Sequence, residues 1–286
     1  MQSARAIHQA ARLALEVRFF TDWCRRAPYS SFHPRFLSAV ERLASWPSPE
    51  AYDALAAQAP HSESALLPRF VTQARRERHG LGGYEQHVAR MRAVPTRERS
   101  WHDFFNMAIW AHFPRLRWAL NALHVDTTLG PIDPRNGRAP QHNVAAQLDE
   151  SGVLVVSSAP QLLAELRALH FKHVFWELRA ELLATTRFWV VGHGMLESML
   201  LPHPGLSGKA LLLELPRPPS SYDDDELRES IDGRVAELIH SWRAGAPLLD
   251  PLPLLGVPGF ADNASSAFYD DDRYFRFQRR PRSAPG

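Results

Sequence analysis

With 286 residues, 45% of them hydrophobic and 22% charged, the chain can bury a sizeable core and is too apolar to be disordered. A formal net charge of +2 gives no reason to expect nucleic acid as a partner, and no run approaches the ~18–20 apolar residues of a membrane span. The single cysteine, Cys24, excludes a disulfide within the chain and points to a reducing, cytoplasmic setting.

From the N-terminus, Ile7, Ala11, Leu15 and Phe19 recur at spacing four, which predicts an amphipathic first helix. Arginines at 5, 12 and 18 flank no apolar stretch, so the segment does not read as a secretory signal. Cys24 precedes Arg25 and Arg26, but a small buried side chain is the expected role rather than a nucleophile. Lys172 and Lys209 are the only lysines among 33 basic residues, a bias that reads as genome composition rather than as a surface selected for polyanions. Further helices are expected over 36–44, 50–59, 67–76 and 84–93. The "HGLGG" between the last two is no dinucleotide fingerprint, because no strand precedes it.

The segment "SWHDFFNMAIWAHFPRLRWALNALH", residues 100–124, is the most informative. Ser100 and Asp103 form a capping pattern that starts a helix at Trp101, and Pro114 fits a helix first turn, so a second helix begins there. At ~100° per residue, His102, Asp103, Asn106, Trp110 and Phe113 fall within about a quarter turn. Everything else around that helix is apolar, which predicts burial with one polar stripe. On the second helix Arg117, Asn121 and His124 share a face at i, i+4, i+7. Buried polar groups are costly unless paired, so the two stripes either satisfy each other or line a cavity.

After residue 124, a Gly/Pro-rich stretch over 125–143 reads as a long loop roofing that cavity. "VAAQLDESGVLVVSS" reads as a hairpin turning at Glu-Ser-Gly, whose acids Asp149 and Glu150 could reach the polar cluster as a base or ligand. Residues 161–185 read as helix, and "RFWVV" is ambiguous between strand and helix. "VVGHGMLES" sets His193 between two glycines, with Glu197 four residues on, a spacing that serves metal ligands. The glycines allow close backbone approach. "HFKHVFWE" (His170, His173, Glu177) is a weaker metal pattern. "ALLLEL" is a buried strand, and Asp223, Asp224 and Asp225 start a helix over 222–243 rather than build a metal site. Asp270, Asp271 and Asp272 lack the spacing of a calcium loop, and ion pairs with Arg273 and Arg276 account for them.

The expected fold is α+β, mainly helical, with a small antiparallel sheet of about three strands. The expected organisation is an N-terminal helical region over 1–65, a main α+β domain over 66–276 and a disordered basic tail over 277–286. The best functional expectation is an enzyme that hydrolyses a small polar substrate by metal assistance or acid–base chemistry. Its site residues would be His102, Asp103, Asn106, Asn121, His124, His193 and Glu197. His102, His124, His193 and Glu197, with Asp103, would supply ligands for Zn²⁺, Mn²⁺ or Fe²⁺. The alternative is a non-catalytic binding protein whose polar cluster only fixes the fold.

"TRERSWHDFFNMAIWAHFPRLRWALNALH", "LDESG", "VVGHGMLE" and "PLLGVPGFADNASSAFYDDDRYFR", taken in order, resemble the motifs of the domain-of-unknown-function family DUF3025. The resemblance runs from about Tyr84 to Arg276. It implies a bacterial protein with one family-wide domain and brings no assigned activity. The sequence departs from the family at Asn143, where the resemblance implies an Asp, and around Phe260 and Ala261, where it implies an aromatic pair.

Overall fold

The computed structural model describes residues 18–59, 64–73, 81–129, 137 and 139–275, together with residues 11, 14 and 15. Most of the expected first helix, much of the 125–143 segment and the basic tail lie outside the described residues.

The architecture is α+β, built around one helix. That helix, α4 (Trp101–His112), follows α1 (Pro34–Glu41), α2 (Ala51–Ala56), β1 (Arg69–Thr72), α3 (Leu81–Met91) and β2 (Ala93–Thr96). Every residue of α4 except His102 is buried, as its all-round apolarity demands. Ser100 Oγ accepts from Asp103 N at 3.2 Å and caps it. On one side Trp101, Phe104 and Phe105 meet the N-terminal aromatics: Trp23 lies edge-on to Phe105 at 5.4 Å and Tyr29 stacks on Phe105 at 5.4 Å. Such pairs contribute about 0.5–1.5 kcal/mol each beyond their buried area. Cys24 is buried in the same core, and burial pushes its thiol up to about 12, which makes it inert as a nucleophile.

α5 (Pro114–His124) starts with Pro at its first position, as expected. Its first turn is held from outside the helix. The buried Asp232, on the long helix α10 (Asp224–Ser241), accepts from Arg115 N at 2.9 Å and Leu116 N at 2.8 Å. At the start of α10, Asp223 accepts from Asp225 N and Glu226 N, so the acidic triplet does start a helix.

The second half is a sheet covered by helices: α6 (Pro140–Ser151), β3 (Gly152–Ser157), α7 (Pro160–Arg167), α8 (Arg179–Thr185), β4 (Thr186–Val190), α9 (His193–Ser198), β5 (Ser207–Glu214), β6 (Asp250–Pro253) and a last turn α11 (Asp272–Phe275). The strand order is β4-β3-β5-β6. β3 runs antiparallel to β4 but parallel to β5, and β5 runs antiparallel to β6.

Four expectations are corrected. The sheet has four strands, not three, and is mixed; a parallel β3–β5 pair needs a crossover, which 158–206 supplies. The proposed hairpin is a helix running into a strand: Pro140 begins α6, which continues to Ser151 before β3 starts at Gly152. The stretch 67–76 contains a short strand, β1, paired in parallel with β2 just before Trp101. The helix over 161–185 is broken, with a π-helical turn at His173–Glu177 between α7 and α8. "RFWVV" resolves as strand β4.

Candidate active site

The path of the chain at the end of β4 creates the site. Val190 pairs with Val153, so β4 ends where β3 begins. The next amides, Val191 N and Gly192 N, both donate to Gly152 O at 2.9 Å. That clamp sets His193, the first residue of α9, against the C-terminal end of α6. Backbone contact requires the first flanking glycine, while the second leaves room for the Glu150 side chain. A Cβ on Gly192 would lie 2.4 Å from Gly152 N, and one on Gly194 would lie 2.3 Å from Glu150 Oε2.

Opposite stands His102, the one residue of α4 that is not buried. His193 Nε2 and His102 Nε2 are 2.9 Å apart. Each ring turns its other nitrogen toward a carboxylate. His102 Nδ1 meets Glu197 Oε2 at 3.3 Å, and His193 Nδ1 lies 3.4 Å from Asp149 Oδ1, which also pairs with Arg117 Nη1. A carboxylate beside Nδ1 favours the proton there and leaves a lone pair on Nε2. With both rings in that tautomer, two lone pairs face each other and repel unless a proton or a cation lies between them. Glu150 Oε1 completes the approach, 3.7 Å from His193 Nε2 and 4.0 Å from His102 Nε2.

The protonation tendencies of the two rings diverge. Burial, His102 and Arg117 together hold His193 down at about 3. For His102, burial opposes the charged form, but the Glu197 hydrogen bond and the charges of Glu150 and Asp103 outweigh it, so its pKa is raised.

These groups open on a cavity of about 540 Å³. Its wall also carries Asp103, Asn106, Arg117 and His124 from the two helices, Glu85 from α3 and His142 from α6. Of the residues expected in the site, the structure joins His102 to His193 and to Glu197, sets Asp103, Asn106 and His124 at other points of the same cavity wall, and turns Asn121 to Glu85. Asp103 is held by Arg97, whose Nε and Nη2 reach its two oxygens at 2.9 and 2.8 Å while Arg97 N donates at 2.6 Å. Asn106 Nδ2 donates to Tyr84 Oη at 3.3 Å, and its Oδ1 is buried with no partner among the described residues. Asn121 Nδ2 donates to Glu85 O at 2.9 Å and to Glu85 Oε2. His124 stands with Glu85 and Asp149 in a separate group.

Sequence reasoning did not single out Arg97, Tyr84, Glu85 or His142. His142, Ala146 and Asp149 share a helical face at i, i+4, i+7, a signal hidden by reading that stretch as loop and hairpin. The weaker candidates do not assemble. His170 pairs with Glu165 and His173 with Glu177, each at 2.6 Å, as separate exposed pairs. Asp270 pairs with Lys172 and Asp271 with Arg273.

A family model described as a protein of unknown function, DUF3025, matches residues 68–279. The chain belongs to this family. The match begins just before β1, so it takes in every helix and strand that lines the cavity. No curated protein and no solved structure matches the chain. Among the described residues no helix is long and apolar enough to cross a membrane.

Proposed function

We propose that this DUF3025 protein is a metal-dependent hydrolase of a small polar substrate, and that His102, His193 and Glu150 hold the metal. The observation that carries this reading is the 2.9 Å approach of two Nε2 atoms, with Glu197 hydrogen-bonded to Nδ1 of His102, Asp149 3.4 Å from Nδ1 of His193, and a third carboxylate at their rim. Bonds of ~2.0–2.2 Å to one ion set ligand atoms about 3–3.5 Å apart. The observed 2.9, 3.7 and 4.0 Å spacings need shifts of only a few tenths of an ångström, within reach of the exposed Glu150 side chain.

Two imidazoles and one carboxylate suit Zn²⁺, Mn²⁺ or Fe²⁺ and leave further positions toward the cavity. A metal bound there supplies a Lewis acid and an acidified water. The remaining work falls to the chain. Glu197 fixes the ring of His102. Asp149, steadied by Arg117, faces the Nδ1 proton of His193. The cavity admits a small molecule and the buried wall behind the rings keeps bulk water out. Asp103, placed as a ligand by sequence reasoning, serves here to anchor Arg97 and the start of α4, and Glu197 moves from ligand to orienting partner.

A metal-free acid–base reading rests on the His102–Glu197 contact, with His102 as the base. The non-catalytic reading rests on the closed contacts Arg97–Asp103 and Asn121–Glu85. Elemental analysis of the purified protein, before and after chelation, separates them. The metal reading expects about one equivalent or more that chelation removes and that His193→Ala fails to hold. A metal-free wild type that His193→Ala and Glu150→Gln leave equally stable contradicts it.

A further inference from the structure

The second group on the cavity wall, Glu85, His124 and Asp149, comes from three helices: α3, α5 and α6. One ligand atom from each lies within 4.8 Å of the other two. All three residues are half-buried and line the same cavity as the two histidines. A His and two carboxylates from separate helices form a donor set suited to a divalent cation. Asn121 holds Glu85 in place through Glu85 O and Oε2, and the His142 ring lies parallel to His124 at 6.5 Å.

The charge balance points the same way. Among the described residues around the cavity and its histidines, five carboxylates (Glu85, Asp103, Asp149, Glu150 and Glu197) face two guanidinium groups, Arg97 and Arg117. A single divalent cation at the histidines leaves this set of groups net negative. The buried Asn106 Oδ1, an acceptor with no partner among the described residues, adds to the same imbalance.

We infer that Glu85, His124 and Asp149 form a second, weaker divalent-cation site on the wall of the same cavity. It is weaker because Arg117 already sits on Asp149 and cancels part of its charge, so the ion must use the other Asp149 oxygen. The two sites are joined through Asp149, which also faces Nδ1 of His193. An ion on Asp149 draws charge away from that contact, so filling the second site tunes the basicity of His193 as a ligand of the first.

The test is a titration of metal-stripped, full-length protein with Zn²⁺ and separately with Mn²⁺, read by calorimetry and by equilibrium dialysis with elemental analysis. Two equivalents of unequal affinity are expected. Glu85→Gln, which keeps an acceptor for Asn121, and His124→Ala should each weaken the second equivalent at least tenfold and leave the first. His193→Ala should remove the first and leave the second. Circular dichroism melts confirm that each variant is folded. One equivalent in the wild type that His193→Ala abolishes, or a second equivalent indifferent to Glu85→Gln and His124→Ala, overturns the second site while the proposed first site stands. One equivalent in the wild type that Glu85→Gln and His124→Ala weaken and His193→Ala leaves overturns the first. No bound metal at all overturns both.

Discussion

Two polar clusters sit on consecutive helices, α4 and α5, and behave in opposite ways. At the start of α5, Asp232 reaches across from α10 and accepts from two backbone N–H groups that a helix terminus always leaves unmatched. Donors meet an acceptor, and the cluster is closed. Along α4, His102 meets His193 at 2.9 Å through nitrogens that both carry lone pairs when their carboxylates hold the Nδ1 protons. In that tautomer pair acceptor faces acceptor, with a third acceptor, Glu150, at the edge; a proton on either Nε2 closes the contact as an ordinary hydrogen bond. Burial tolerates the first arrangement because every group is matched. The second arrangement needs a proton or a cation between the two rings, and a cation also engages the carboxylate at their edge. The contrast teaches that a mismatch in polarity, rather than burial or polarity as such, separates a binding site from a structural knot.

Substitutions should divide along that line. His193→Ala should lower metal affinity by more than about a hundredfold, beyond the ~10–100-fold typical of orienting partners, with little change in melting temperature; dialysis against buffered zinc measures it. Gly192→Ala should strike backbone at Ser151 and Gly152 and destabilise the protein by about 3 kcal/mol in denaturant unfolding. Gly194→Ala meets the flexible end of Glu150 instead, so it should cost less stability and more metal affinity. Asp232→Ala should cost about 2 kcal/mol by orphaning two N–H groups, with metal binding unchanged. Glu197→Gln should weaken metal binding about tenfold, roughly 1.4 kcal/mol, and leave unfolding nearly unaffected.

The smallest effect is on pH dependence in the metal-free protein. The pKa of His102 is raised in the folded state, so its contribution to stability is complete below about 6.5 and is lost as pH rises through the raised value. The pKa of His193 is held down at about 3, so its contribution is complete above about 6.5 and is lost as pH falls toward 3. Ring-proton NMR should show His102 titrating first on acidification while His193 stays neutral. Titration of His193 at its ordinary value would break the distinction between the two rings.

Much of this was legible in the sequence, for reasons specific to each element. Ser100, Asp103 and Pro114 mark two helix starts through local backbone chemistry, and the burial of 101–112 follows from its all-round apolarity. His193 between two glycines was legible as a place of close approach, though not what approached it. What was hidden depended on distant pairing. Residues 144–157 look like a hairpin because Glu-Ser-Gly is a good turn. The alternation before it belongs to a helix begun by Pro140, and the pairing of β3 with β4 on one side and β5 on the other fixes the strand. Glu150 reads in sequence as an acid near a turn. Its position at the rim of two histidines arises from the Gly152 clamp on residues 191 and 192, which no local pattern encodes. Arg97 carries no local signal, because its partner, Asp103, reads in sequence as a ligand.

Anomalous X-ray diffraction at the zinc edge, on crystals grown with zinc in slight excess, tests the central claim most directly. An ion within ~2.0–2.2 Å of Nε2 of both His102 and His193, with Glu150 drawn in as the third ligand, is the predicted result. Fully formed crystals in which the two rings remain in contact at about 2.9 Å, with no anomalous peak between them, would contradict it.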